Sequence, residues 1–202
     1  MAKAARTTRS LLFVSVLIPL LATLGADGVG GGSSRCPLVP SMTAQSACSA
    51  VSGTRHMREL CLRTLRSGAG AAVLPVTRHA ATAVRGALDS YAATVAAATS
   101  LLDGGAVPAD AEKAAFGDCM VGYGRARGAM SRVADDLAAG GCGDGAAGLK
   151  AGYTAGLRGM DGCRRGLLNY PASPLYARNL ADRNMTLLAA LLCSLVPAPP
   201  SA

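Results

Sequence analysis

The residues with the most specific chemistry in this chain are its seven cysteines. They stand at Cys36, Cys48, Cys61, Cys119, Cys142, Cys163 and Cys193, and no zinc-type spacing links them. In an exported chain such cysteines are read first as disulfides, and an odd count leaves at least one thiol unpaired or bonded to another molecule. Spacing by itself leaves the connectivity open. Two pairings are nevertheless recommended by helix geometry. Cys48 and Cys61 flank the turn Ser52-Gly53-Thr54, so a bond between them would close a short helical hairpin. Cys119 and Cys163 lie inside the apolar stripes of two separate amphipathic helices and are candidates for a cross-helix bridge.

The remaining chemistry-bearing residues assemble nothing comparable. His56 and His79 have no carboxylate or cysteine in a triad relation to them, and a lone histidine on a helix is usually structural or solvated. The carboxylates are few and dispersed. Gly143-Asp144-Gly145-Ala146-Ala147-Gly148 matches G-x-G-x-x-G, but it follows a helix where the dinucleotide fingerprint needs a strand. No catalytic residue, cofactor site or metal site is expected, and the chain does not read as an enzyme.

The elements that position the cysteines are helices. From Ala109 to Ala139, Phe116, Cys119, Tyr123, Met130, Val133 and Leu137 recur at three-and-four spacing, with Ala126 keeping the stripe unbroken. Leu149, Tyr153, Gly156, Met160, Cys163 and Leu167 form the matching stripe of the next helix. Before them, Met42–Val51 and Arg55–Leu65 make the hairpin, and a long helix begins at Ala72 with Pro75 in its first turn. A last helix starts at Ser173-Pro174. Its stripe is expected to run through Leu180, Leu187, Leu188, Leu191, Leu192 and Leu195, with the Asn184 amide buried on it. No period-2 alternation is long enough for a sheet. The expected fold is all-α, an up-down-up-down four-helix bundle with an N-terminal helical hairpin, stapled by disulfides.

Composition divides the chain further. Residues 1–26 carry Lys3, Arg6 and Arg9, then an apolar run interrupted by Pro19, then small residues, which is the order of a secretory signal peptide. The run is too short to span a bilayer, for which about 20 residues are needed. Residues 27–40 form a flexible Gly/Ser-rich segment, 41–196 the helical domain, and 197–202 a disordered tail. No membrane association is expected once the signal is removed. Without the signal's three cations the net charge of +8 falls to about +5, scattered at helix-surface spacing. Nucleic acid is not an expected partner, because clustered cations and stacking aromatics are missing. A loose attraction to an acidic polysaccharide such as pectin fits the charge better.

In this order the motifs resemble the plant invertase/pectin methylesterase inhibitors. Cys48-SAVSGT-RHMREL-Cys61-Leu62 is similar to the family's opening, and Cys119-Met120-Val121-Gly122-Tyr123 with Leu137 matches its third cysteine. Thr154 to Cys163 looks like a worn copy of the segment before the fourth, and Asn184 precedes an apolar run as in the family's last helix. The resemblance implies a four-helix bundle with bonds Cys48–Cys61 and Cys119–Cys163. It also implies non-covalent inhibition of pectin methylesterase, by covering its substrate cleft, or of cell-wall or vacuolar invertase. A bundle with no inhibitory activity, lipid-binding or structural in the cell wall, is the reading from another class. The chain departs from the family pattern at Arg158 and Gly162, where the family has threonines, in a longer hairpin loop, and in the extra cysteines Cys36, Cys142 and Cys193. It lacks the Pro-Lys-Phe tripeptide of invertase inhibitors, which leans toward pectin methylesterase and a secreted, apoplastic setting.

Two sets of residues are expected to matter beyond the core. Arg78, Arg85, Asp89, Arg125 and Arg132 lie off the apolar stripes and are candidate contacts for the partner enzyme. Cys142 and Cys193 are expected to meet at one pole of the bundle as a third bridge, leaving Cys36 as the free or intermolecular thiol.

Overall fold

The computed structural model describes residues 38–69, 72–105, 110–140 and 145–197. The signal segment, Cys36, Cys142 and residues 198–202 lie outside the described residues, as does the Gly/Ser-rich segment up to residue 37. The described elements are a short strand β1 (Ser41–Thr43), helices α1 (Ala44–Val51) and α2 (Arg55–Ala69), a strand β2 (Val73–Pro75), and four long helices. These are α3 (Val76–Asp103), α4 (Asp110–Ala138), α5 (Gly145–Gly166) and α6 (Pro174–Cys193).

Local chemistry sets the boundaries. Thr43 caps α1, its Oγ1 accepting from the Ser46 amide at 3.1 Å. Thr54 does the same for α2 through the Met57 amide at 3.2 Å. Gly140, at φ 94°, takes the chain out of α4. Pro174 opens α6 at its first turn, where a missing N–H costs no hydrogen bond.

The four long helices form a ring in which α3 packs on α4 and α6, and α5 on α4 and α6, with the α1–α2 hairpin against α3 and α6. That is the expected all-α bundle with its hairpin. A two-stranded antiparallel patch was not expected from the sequence. It pairs Met42 with Leu74 and ties the entry of α1 to the entry of α3. Pro75 therefore stands outside α3, as its N-terminal flank, and the helix begins at Val76 rather than at Ala72. Buried His79 belongs to this junction: its Nε2–H donates to the Met42 carbonyl at 2.9 Å. The histidine is structural.

Among the described residues two bridges staple the bundle. Cys48–Cys61 closes the hairpin and Cys119–Cys163 joins α4 to α5. The expected Cys142–Cys193 bridge requires correction, because Cys193 is a buried free thiol. The cause is the orientation of α6. Its core-facing positions are Leu175, Asn179, Asp182, Thr186, Ala189 and Cys193, with Leu188 and Leu192 beside them, whereas Leu180 is exposed and Leu187 and Leu191 are half-buried. At 3.6 residues per turn Cys193 follows Asn179 and Thr186 on one face, so its sulfur enters the core instead of reaching a loop. The same rotation leaves Asn184 half-buried and makes Asn179 the buried asparagine.

Candidate functional site

Helices α4 and α5 cross at close range. Gly122 and Gly159 meet backbone to backbone: a Cβ on Gly159 would lie 2.6 Å from the Gly122 carbonyl oxygen, and one on Gly122 would lie 2.7 Å from the Gly159 carbonyl oxygen. Gly156 leaves room for the Met130 side chain in the same way. Glycine is required where two helix backbones come this near, since any side chain would occupy the partner's main chain. One turn further along, Cys119 and Cys163 close the crossing with a Cα–Cα distance of 4.2 Å.

On the outer side this crossing leaves an open trough of about 830 Å³. Its walls carry Arg125 and Arg132 from α4 and Arg158 and Arg165 from α5, with Asp118 as the one carboxylate among its lining residues. In each helix the two arginines are seven residues apart, so the guanidinium groups recur at intervals of about 10 Å along the trough. None of the four takes part in an ion pair or side-chain hydrogen bond among the described residues. The floor is largely backbone, because Cβ positions at Gly124 and Gly162 face empty space. Past Arg132 the surface turns acidic at Asp135 and Asp136.

A second polar constellation lies in the core. The Asp182 side chain accepts from Ser90 Oγ of α3 and, at 2.6 Å, from Tyr123 OH of α4. Thr186 Oγ1–H donates to the Asp182 backbone carbonyl at 2.7 Å, so the Thr186 oxygen is left to accept from the Tyr91 hydroxyl. The Tyr91 and Tyr123 rings meet edge to face at 5.8 Å. Three long helices are thus joined by hydroxyls around one carboxyl group. Asp182, Tyr91 and Tyr123 are each 1% exposed, and only Ser90, half-buried, stands at the edge of the cluster. The cluster positions helices and does not meet a substrate. Sequence reading missed it because Asn179, Asp182 and Thr186 occupy core positions that a leucine count assigns elsewhere. The available signal was their three-and-four spacing.

Two predictions follow from this core. Tyr123→Phe removes one hydrogen bond to a buried carboxyl group and should lower stability by ~1–3 kcal/mol, read as a shift of the urea midpoint at constant slope. The pH dependence should be one-sided. Burial pushes the Tyr91 phenol from 10.0 up to about 12 and the Cys193 thiol from 9.0 up to about 12. Burial, with the Asp182 charge beside it, also raises Tyr123. These groups stay protonated in the folded chain at pH values where the unfolded chain ionises. Their stabilisation is therefore complete below about pH 9 and declines toward pH 12, with Tyr91 alone accounting for about 3 kcal/mol. Thermal melts at pH 8, 10 and 11 should show a level Tm followed by a fall.

The structure divides the five candidate contact residues. Arg125 and Arg132 line the trough, while Arg78, Arg85 and Asp89 are exposed on α3 outside it. Arg158 and Arg165, which sequence reading did not select, complete the trough. Among the described residues no group of histidine, cysteine and carboxylate side chains could hold a metal ion, and no helix is long and apolar enough to cross a membrane.

Comparison with solved structures places this architecture. A mutant form of a pectin methylesterase inhibitor from Arabidopsis superposes with a TM-score of 0.61 at 19% identity, over 76% of this chain and 97% of that one. The chain has the fold of the pectin methylesterase inhibitors. A second such inhibitor, from Arabidopsis thaliana, gives a TM-score of 0.55 at 19% identity, covering 77% of this chain and 96% of the inhibitor. No protein-family model and no curated protein matches the sequence.

Proposed function

We propose that the protein is a secreted inhibitor of pectin methylesterase that binds the enzyme without a covalent bond and covers its substrate cleft. The observation that carries this reading is the superposition on two pectin methylesterase inhibitors over nearly their whole length. The two disulfides support an oxidising, extracellular setting. Residues 1–26, with the composition of a signal peptide, supply the route there, and residues 41–196 form the inhibitory domain.

Inhibition in this reading is steric. The exposed residues of the long helices, Arg78, Arg85 and Asp89 on α3 with Arg125 and Arg132 on α4, meet the enzyme around its cleft, and none performs chemistry on it. The complex should therefore dissociate under denaturing gel filtration and return both proteins at their original masses. An inhibitor that stays attached after denaturation would mean a covalent adduct and overturn the steric reading.

A further inference from the structure

We infer that the trough between α4 and α5 is a binding site for a linear carboxylated polysaccharide, a polyuronate chain. This goes beyond inhibition: the trough shares Arg125 and Arg132 with the proposed enzyme contact, and the test below therefore varies Arg158 and Arg165, which that reading does not use. The argument starts from the arrangement of charge. Arg125, Arg132, Arg158 and Arg165 flank one open channel, and none of them is neutralised by an ion pair among the described residues. They do not converge on a point, as a site for a single phosphate would require. Gly159 faces Gly122 and Gly166 faces Ala115, so Arg165 lies toward the Asp118 end of the trough and Arg132 at the other, about 20 Å apart along the helix axis. The complementary ligand must be extended and must carry negative charge at several places along its length.

The chemistry of the channel narrows the class. Guanidinium groups bind carboxylates through paired N–H donors, and their attraction acts over about 10 Å at moderate ionic strength. No aromatic residue lines the channel, so it offers nothing for the bases of a single-stranded nucleic acid to stack on. Val121 is the one large apolar side chain in the lining, whereas a protein partner is usually held by aromatic or aliphatic anchors. The bare glycine floor at Gly124 and Gly162 leaves room for a sugar ring to lie against helix backbone. Asp135 and Asp136 end the basic tract beyond Arg132 and limit how far a polyanion can follow it.

The test uses the disulfide-bonded protein with no esterase present and reads its retention on immobilised polygalacturonate and on the same polymer fully methyl-esterified. Binding to the free acid, lost on esterification and weakened by salt, is expected. Arg158→Glu with Arg165→Glu should weaken binding by about tenfold, because two attractive charges become repulsive within a Debye length. Gly162→Phe fills the floor at constant charge and should also weaken it. Arg58→Glu with Arg178→Glu changes net charge equally, on α2 and α6 outside the trough lining, and should leave binding within about twofold. Equal binding to the esterified polymer would overturn the proposal, as would an equal loss in the distant double variant. Tighter binding of poly-glutamate of matched charge would assign the trough to an acidic protein segment and overturn it too. Esterase inhibition is measured separately, so failure of one reading leaves the other standing.

Discussion

Gly159→Val should destabilise the protein by about 3 kcal/mol, the upper part of the range for forcing atoms into a packed core. The first carbon of the new side chain would sit 2.6 Å from the Gly122 carbonyl oxygen, closer than real side-chain carbons come to a main chain. Ala126 Cβ, on the same helix as Gly122, would lie 3.0 Å away, and since the clash is with the first carbon no rotamer removes it. The helices would have to separate, and the Cys119–Cys163 bond holds them together one turn away. Gly162→Ala provides the contrast on the same helix. It points into open space, and replacing glycine in a helix interior by alanine should stabilise by up to about 1 kcal/mol. Urea midpoints for the two variants on opposite sides of the parent would support the close crossing. A Gly159→Val midpoint equal to the parent's would contradict it.

The second large effect is expected at the α4–α5 bridge. Cys119 and Cys163 are 44 residues apart, so removing their bond should release unfolded-chain entropy worth about 4 kcal/mol. Cys48 and Cys61, 13 apart, should be worth about 3 kcal/mol by the same relation. The paired substitution Cys119→Ala with Cys163→Ala should therefore lower Tm more than Cys48→Ala with Cys61→Ala. Both double substitutions remove two sulfur atoms from fully buried sites, so that cost is shared and the loop lengths decide the order. The reverse order of the two melting temperatures would mean that the hairpin, and not the α4–α5 pair, limits stability.

How much of this was readable from the chain follows from what fills each helix face. On α4 the large residues are sparse and Phe116, Cys119, Tyr123, Met130, Val133 and Leu137 all turn out buried, so periodicity alone located the core side. The α5 stripe was legible for the same reason, although Tyr153 is half-buried and Gly152 takes part in the core face. On α6 the signal misled. Leucines surround much of that helix, while its core face carries Asn179, Asp182 and Thr186, whose burial is acceptable because Ser90, Tyr91 and Tyr123 reach them from other helices. Such pairings, separated by 59 to 95 residues, have no local trace. The rotation of α6 then decided Cys193. The trough was half legible: Arg125 and Arg132 stood out as charged positions off the apolar stripe of α4. Arg158 and Arg165 repeat that pair's spacing on α5, and only the register of the glycine crossing brings the two pairs together.

The reading of the bundle as an esterase inhibitor is tested most directly by titrating pectin methylesterase with the folded, disulfide-bonded domain while following de-esterification of pectin, with invertase and sucrose as the parallel assay. Esterase activity should fall in proportion to added protein and level off at an equimolar ratio, with invertase unaffected. Full esterase activity at about tenfold molar excess of folded protein, or loss of invertase activity in its place, would contradict it.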